Sequence, residues 1–376
     1  MKVIIFSTAE NLSGGVRQAA NLAKSLMRRG HDVVFFVQQT AEIPSVDPSI
    51  DWRRLPEDKK LWRSEVEKEV ISANAKGIPC IVQAFHNKAN KLVALWTGLW
   101  AMPGSIYKAY GVGYRGVTYR PRNPLPYWSW GIRKVIVNSA ACGKLLSRQY
   151  GISSKIELVY NSLPEGRNIP HRSPEDVRRE LGLSANSVVY GTVTSRKADK
   201  GNDVLLKSFS KIQSPDKKLL LVGLKERDWL PMCRELGIAD QVHFVSYAEH
   251  VADYLQLMDC FVFAGRKGDS TPNALLEAMS VGVACVGTSI GGVPEVLANC
   301  GTVVPINGVN EMAEAMQHLH DDPVLRKSMA TACLEKSYDF TEENRAERIE
   351  RIYYEVAGSR VSPAYIRACE FDRSRA

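Results

Sequence analysis

Residues 268–295 read GDSTPNALLEAMSVGVACVGTSIGGVPE, and two carboxylates, Asp269 and Glu277, stand eight residues apart in a run that otherwise has the pattern of a buried helix and a buried strand. Thr271 suits an N-cap, Pro272 the first helical position and Gly282 the stop, so a helix over 272–280 is predicted. Asp269 then lies in the loop before that helix and Glu277 within it. Eight helical residues rise about 12 Å, and the partly helical path here gives a separation of roughly 9–13 Å. A carboxyl pair acting on one glycosidic bond stands about 5–9.5 Å apart, which disfavours a hydrolytic dyad. Between the two carboxylates lies a helix N-terminus, whose unbonded N–H groups and dipole favour an anion. A nucleotide sugar fits this order: Asp269 for the sugar hydroxyls, the N–H groups of Thr271, Asn273 and Ala274 for the diphosphate, and Glu277 for the ribose. Leu275, next along the helix, and Val245, at the end of a neighbouring strand, complete the donor side. Taken alone, Asp269 reads equally well as a turn residue and Glu277 as an exposed helix glutamate.

The strand that follows, Ala284–Gly287, is one of many. Val3–Phe6, Asp32–Val37, Cys80–Ala84 and Val135–Asn138 read as apolar strands in the first half, with helices over 16–29 and 65–75. After the Pro- and Gly-rich stretch 163–174, Val188–Val193, Leu219–Val222, Val242–Val245 and Cys260–Phe263 repeat the pattern, with helices over 203–212, 229–236 and 251–258. Near-continuous apolar strands alternating with helices indicate parallel sheets covered on both faces. The fold class is therefore α/β: two Rossmann-like, doubly wound parallel-sheet domains, 1–165 and 166–344, whose strand carboxyl ends face a shared cleft. The chain is helical from Val309, and a last helix over 345–376 is expected to pack back on the first domain and end in a basic tail.

Length and composition agree with this. The 376 residues suit two domains better than one, and 45% hydrophobic with 24% charged residues is a water-soluble globular mixture. The apolar run Leu92–Met102 is about half of what spans a bilayer, and Lys2–Ser7 reads as a first strand. Eight dispersed cysteines without a CxxC pair read as reduced thiols of a cytoplasmic protein, with no metal site. The net charge of +8 is unevenly spread: residues 1–165 carry 23 Lys and Arg against 12 Asp and Glu, and no acid occurs between Glu69 and Glu157. That window points to an anionic partner: a phosphorylated acceptor, an acidic lipid surface or nucleic acid. A solvated basic face is the plainer reading. Within it, GYRGVTYRPRNPLPYWSW (113–130) mixes arginines with aromatics, which suits gripping a sugar chain or lying at a membrane interface. Arg115, Arg120, Arg122, Tyr127 and Trp128 are therefore assigned to the acceptor side.

In TSRKADKGNDVLLKSF (194–209), Arg196 and Lys200 flank a loop where a strand hands over to a helix, and two cations there would neutralise a diphosphate leaving group. With R-x-x-x-K-G, a following LLLVG strand, D-S-x-P-N-x-L-L-E-A-M-x-x-G and GGVPE in that order, the chain resembles the retaining, GT-B-fold glycosyltransferases of family four. The amino-terminal SGGVRQAANLAKSLMRRGHDV is similar to that family's glycine-rich first loop and helix. The resemblance covers roughly residues 1–350. It implies a nucleotide-sugar co-substrate, UDP-sugar first and GDP-sugar second, retention at the anomeric carbon, and no cofactor or obligatory metal. It also implies that Arg196 and Lys200 bind the diphosphate, that Asp269 stands at the first acidic position of the E-x7-E element, usually Glu, and that Glu277 is the ribose ligand. Gly14 and Gly15 match the first-domain loop that approaches phosphate or acceptor; a lone glycine pair is equally a tight turn. Relatives often carry a histidine in a first-domain loop by the donor sugar. His86 is the candidate, with a structural histidine as the alternative. Where a His-Gly pair is common, this chain has Tyr110-Gly111. Gly291-Gly292 read as a turn, with Pro294 and Glu295 favouring a helix start.

The expected activity is a hexosyltransferase-like transfer from a nucleotide-diphosphate sugar to a hydroxyl of an anionic or lipid-linked glycan. Such acceptors belong to cell-envelope polysaccharide or lipopolysaccharide synthesis, and the enzyme would be a cytoplasmic, peripheral membrane protein. Asp269, Arg196, Lys200 and His86 form the expected catalytic group. A nucleotide-sugar epimerase of the same fold is the alternative. A dehydrogenase is disfavoured: TAENLSGGVRQ (8–18) lacks G-x-G-x-x-G, and no acid ends the 33–37 strand. A nucleic-acid binder would use the basic window, but no motif for one is legible. No motif sets the acceptor or the oligomeric state.

Overall fold

The computed structural model describes residues 1–10, 14–41, 48–121 and 123–358. Its first sheet comprises β1 (Lys2–Ser7), β2 (Asp32–Val37), β3 (Asp51–Arg54), β4 (Cys80–Phe85), β5 (Tyr110–Arg115), β6 (Ile132–Val137) and β7 (Ile156–Leu158), in the order β3-β2-β1-β4-β5-β6-β7. The second comprises β8 (Val188–Val193), β9 (Lys217–Val222), β10 (Val242–Val245), β11 (Cys260–Phe263), β12 (Ala284–Thr288) and β13 (Thr302–Val304), in the order β10-β9-β8-β11-β12-β13. The pairings are parallel: Ile4 lies between Val34 and Val82, and Phe261 between Gly191 and Cys285.

Helices connect the strands. The first series is α1 (Gly14–Arg28), α2 (Trp62–Ala75), α3 (Asn87–Trp100), α4 (Leu125–Trp128) and α5 (Ala140–Tyr150). The second is α6 (Pro174–Glu180), α7 (Asn202–Ser210), α8 (Glu226–Glu235), α9 (Ala252–Leu255), α10 (Asn273–Ser280), α11 (Val293–Val296), α12 (Val309–Asp321) and α13 (Pro323–Ser337), followed by α14 (Glu342–Val356). Alternate residues of each apolar strand serve opposite faces of the sheet. Ile4, Phe6 and Val82 pack with Trp62, Val66, Val93 and Trp96. Val3, Ile5 and Phe35 pack with Ala19, Leu22 and Leu26 and also with Ile349, Ile352 and Tyr353. The chain thus returns to the first sheet: Tyr353 donates its hydroxyl to Gln83 Oε1 at 3.0 Å, and Glu350 meets Arg29 at 2.8 Å and His31 at 2.6 Å. Residues 359–376, which hold the basic tail and Cys369, lie outside the described residues. The seven described cysteines are buried and free. Among the described residues, no helix is long and apolar enough to cross a membrane.

Several elements differ from the expectations, among them the last helix, expected over 345–376 and found at Glu342–Val356, with 359–376 outside the described residues. Helix α1 starts at Gly14 itself, so the glycine pair opens the helix instead of forming a turn before it. Strand β3 is the largely polar edge segment DWRR, whose single apolar residue, Trp52, stacks on Phe35. Tyr110-Gly111 begin β5, where a Cβ on Gly111 would stand 2.4 Å from the Gly131 carbonyl oxygen; that glycine serves packing.

Strand order reverses between β1 and β4 and between β8 and β11. In doubly wound sheets ligands bind beyond the carboxyl ends of strands at such reversals. Beyond these four strands lie Gly14-Gly15 at the start of α1 and the loops that carry His86, Lys200 and Asp269.

Candidate active site

These loops enclose a cleft of about 710 Å3 between the two sheets. Gly14, Gly15, His86, Asn87, Arg115 and Tyr119 line it on one side; Lys197, Lys200, Phe263 and residues 269–274 line it on the other. Lys200 is placed by its neighbour. Gly201 has a φ of 66°, and a Cβ there would stand 1.9 Å from the Ala264 carbonyl oxygen, so only glycine lets the loop lie on the end of β11. Lys200 Nζ then donates to both carboxylate oxygens of Asp269, at 2.9 and 2.8 Å. Gly291 supports the same loop from behind. Its φ is 55°, and a Cβ would stand 2.1 Å from the Asp269 carbonyl oxygen. Gly292 N–H donates to the Ser270 carbonyl at 2.6 Å. The GG pair is therefore a brace for the Asp269 loop, a role beyond the simple turn expected.

Two helix N-termini open on the cleft. Gly14 begins α1 and Asn273 begins α10, and a Cβ on Gly14 would stand 3.2 Å from Asn273 Nδ2. First-turn N–H groups have no acceptor within their own helix, which favours an anion here. Thr271 does not cap α10. The extended Pro272 precedes the helix, and the Thr271 hydroxyl donates to the Asn138 carbonyl across the cleft. Leu275 is fully buried in the second sheet's core and lends no side chain to the cleft.

The two halves are stitched by residues that no motif announced. Asn161 Nδ2 donates to the Thr271 carbonyl at 3.0 Å and to Asn273 Oδ1 at 3.1 Å, and Gln18 Nε2 reaches Asn273 Oδ1 at 3.4 Å. The hydroxyls of Ser139 and Ser270 bond to each other. Glu295, in the first turn of α11, does more than favour a helix start. Its carboxylate accepts from Ala140 N–H at 2.7 Å, Ala141 N–H at 2.9 Å and the Tyr160 hydroxyl at 3.0 Å, capping α5 from the opposite half. Ser139 takes the next donor, Cys142 N–H, at 3.1 Å. Glu295→Ala is expected to lower the unfolding free energy by about 2 kcal/mol, because it strips charge-assisted bonds from two helix N–H groups. A denaturant midpoint matching wild type would show that this latch carries no energy.

Several predicted residues lie elsewhere. Arg196 does not line the cleft: its side chain is 79% exposed and meets Asp228 at 3.9 Å. Lys197, itself exposed, lines the cleft instead. Glu277 also stands off the cleft. It is buried, its carboxylate lies 3.1 Å from Arg167 Nε, and burial pushes its carboxyl above the usual range while Arg167 opposes the shift. Each carboxylate of the 268–295 stretch is thus held by a cation, Asp269 by Lys200 and Glu277 by Arg167. Val245 ends β10 away from the cleft, its carbonyl accepting Gly223 N–H at 2.7 Å; Val193, at the end of β8, lines the cleft.

His86 lines the cleft with a backbone of φ 77° and ψ 158°, a region nearly reserved for glycine. Its Nδ1 lies 3.3 Å from Ser7 Oγ, and burial lowers its pKa. Arg115 is fully buried and acts as a strut instead of an exposed grip. Its guanidinium donates to Asn87 Oδ1 at 2.5 Å, to the Tyr127 hydroxyl at 3.3 Å and to the Tyr119 carbonyl. Tyr127 is buried with it, whereas Arg120 and Trp128 are exposed. Arg122 lies outside the described residues. Among the described residues, no group of three or more His, Cys, Asp or Glu side chains is placed to hold a metal ion.

Two parallel-sheet α/β halves around one cleft are the GT-B architecture. Two family models match the chain, Glycosyltransferase Family 4 over residues 12–166 and Glycosyl transferases group 1 over residues 186–322. The chain belongs to this glycosyltransferase family. It is similar to N-acetyl-alpha-D-glucosaminyl L-malate synthase of Bacillus anthracis, 30% identical over 237 residues, 60% of this chain and 61% of the relative. It is also similar to D-inositol 3-phosphate glycosyltransferase of Corynebacterium diphtheriae, 26% identical over 200 residues, 50% of this chain and 47% of the relative. The chain spans about half to three fifths of the length of these curated relatives. Among solved structures, Anabaena HepE in complex with UDP matches with a TM-score of 0.80 at 18% identity, covering 94% of this chain and 100% of that one.

Proposed function

We propose that the protein is a retaining glycosyltransferase that moves a sugar from a nucleotide-diphosphate sugar to a hydroxyl of an anionic glycan or glycolipid of the cell envelope. The observation that carries this reading is the Lys200–Asp269 pair set before two helix N-termini. The diphosphate sits at those N-termini with Lys200 and Lys197 against it, and Asp269 meets the donor sugar's hydroxyls. The 166–344 domain holds the donor, and the 1–165 domain the acceptor. The anomeric C–O bond to the phosphate breaks as the acceptor oxygen bonds to the same face of that carbon. The acceptor's proton passes to the departing phosphate oxygen. Asp269 is tied to Lys200, so it orients the sugar and takes no proton. UDP is the first choice of nucleotide, supported by the UDP in the HepE complex, and GDP the second. An anionic acceptor is supported by the excess of cations in residues 1–165 and by the malate and inositol phosphate in the relatives' names. The enzyme works in the cytoplasm, at the inner face of the membrane.

The test is a thermal-shift panel of UDP, GDP, ADP and their sugar conjugates on wild type and Lys200→Ala. A nucleotide at about 100 times its Kd adds about 2.7 kcal/mol of stability. One diphosphate series is expected to stabilise wild type. Its affinity for the variant should fall about tenfold, as the diphosphate loses a charge-assisted partner. A folded wild type that none of them stabilises would overturn the proposal.

A further inference from the structure

The outward stripe of α3 breaks the usual pattern, in which a surface helix buries an apolar face and shows a polar one. The helix buries Ala89, Val93, Trp96 and Trp100 in the core. Its solvent-facing positions, three and four residues apart, are Lys88, Lys91, Leu95 and Leu99. Leu95 is 58% exposed, and nearby Leu125 and Trp130 are 65% and 68% exposed. Leu95, Leu99, Met102, Leu125 and Trp130 wall a groove of about 360 Å3 with an almost wholly apolar lining.

A second hollow, of about 490 Å3, joins this groove to the reaction cleft. It shares Lys91, Asn123 and Pro126 with the groove and Asn87 and Tyr119 with the cleft, and it adds Lys88 and Arg120. No carboxylate belongs to hollow or groove, since none occurs between Glu69 and Glu157. The surface therefore grades from cleft to cations to hydrocarbon. Along α3 that gradient, Lys88 to Leu99, is about 16 Å long. An amphiphile has the same order: headgroup, phosphate, chain. A protein partner or a second copy would explain the apolar groove but not its continuity with three cations and the cleft.

We propose that this path seats a phosphate-bearing membrane lipid, with its hydrocarbon in the α3–α4 groove and its phosphate against Lys88, Lys91 and Arg120. That its headgroup in the cleft is the sugar acceptor rests on the transferase reading above; the lipid seat itself does not. Trp130 and Tyr119 lie where aromatic rings favour a membrane interface.

Co-sedimentation of the full chain with phosphatidylcholine vesicles, with and without phosphatidylglycerol, tests this. Wild type is expected to pellet with the anionic vesicles. Lys88→Gln/Lys91→Gln should weaken that binding about fivefold per lysine removed. Leu95→Ser/Leu99→Ser should weaken it about tenfold or more, through lost apolar burial. Nucleotide thermal shifts should be unchanged in the leucine variant. Glycerol 3-phosphate, a phosphate without a chain, should not displace the protein from vesicles. Wild type staying in the supernatant at low salt overturns the proposal. So does vesicle binding that the leucine pair leaves untouched, or displacement by glycerol 3-phosphate. A leucine variant that dissociates a dimer without changing vesicle binding would make the groove a contact between copies. Vesicle binding without any nucleotide stabilisation would instead leave the lipid seat standing and remove the transferase reading.

Discussion

Lys200→Ala is expected to lower kcat for sugar transfer by about 100- to 1000-fold. The departing diphosphate gains charge as the anomeric bond breaks, and a fixed cation in a half-buried cleft stabilises that charge far better than water does. Lys200 is such a cation, held by Gly201 against β11 and shared with both oxygens of Asp269. Removing it has a second effect. Asp269 then faces the diphosphate with no counter-charge, so nucleotide affinity falls as well. The double variant Lys200→Ala/Asp269→Asn separates the two. It should bind nucleotide diphosphate more tightly than Lys200→Ala, because the repulsion is gone, yet its kcat should stay low. Lys200→Arg should recover little, since a planar guanidinium does not replace a compact ammonium at this contact. A single variant with kcat within threefold of wild type would assign the charge stabilisation to Lys197, the other lysine lining the cleft.

What could be read beforehand follows from how local each signal is. Strands β1, β2, β8, β9, β11 and β12 are short apolar runs between turn residues, and each announces itself. Strand β5, YGVGYR, does not, because Gly111 is chosen by contacts with Thr97 and Gly131, distant in sequence. Lys200 and Asp269 were legible because each belongs to a compact motif whose glycine or proline sets the local path. Arg196 belongs to the same motif but points to solvent, since a loop's side-chain directions depend on backbone detail that spacing does not carry. Glu277 was legible as a helix position, but its partner Arg167 comes from the segment between the sheets. The cross-half bonds of the Gln18 and Asn161 amides, of the Asn138 carbonyl and of the Glu295 carboxylate were not legible. Their bonding partners exist only once the two halves meet.

His86→Gly is expected to raise stability while lowering kcat about a hundredfold through loss of donor-sugar positioning. The residue sits at φ 77° and ψ 158°, where a side chain costs about 1–3 kcal/mol. Glycine relieves that strain but gives back about 0.5–1 kcal/mol through the freer unfolded chain, leaving a net gain of about 1 kcal/mol. Acid should enlarge the difference. Burial holds the His86 pKa below its ordinary value of about 6.5, so between the folded and unfolded values the unfolded chain binds more protons. The contribution of the neutral imidazole to wild-type stability is therefore fully present above about pH 6.5 and is lost as pH falls through the folded value. The glycine variant has no such group, and its unfolding free energy should fall less over that window. At neutral pH the imidazole is uncharged, so it can hydrogen-bond the donor sugar without competing with Lys200 for the diphosphate. Backbone strain of this kind clusters at active sites and ligand clamps, and His86 lines the cleft. A variant that gained stability with its kcat intact would remove the His86 ring from donor-sugar positioning.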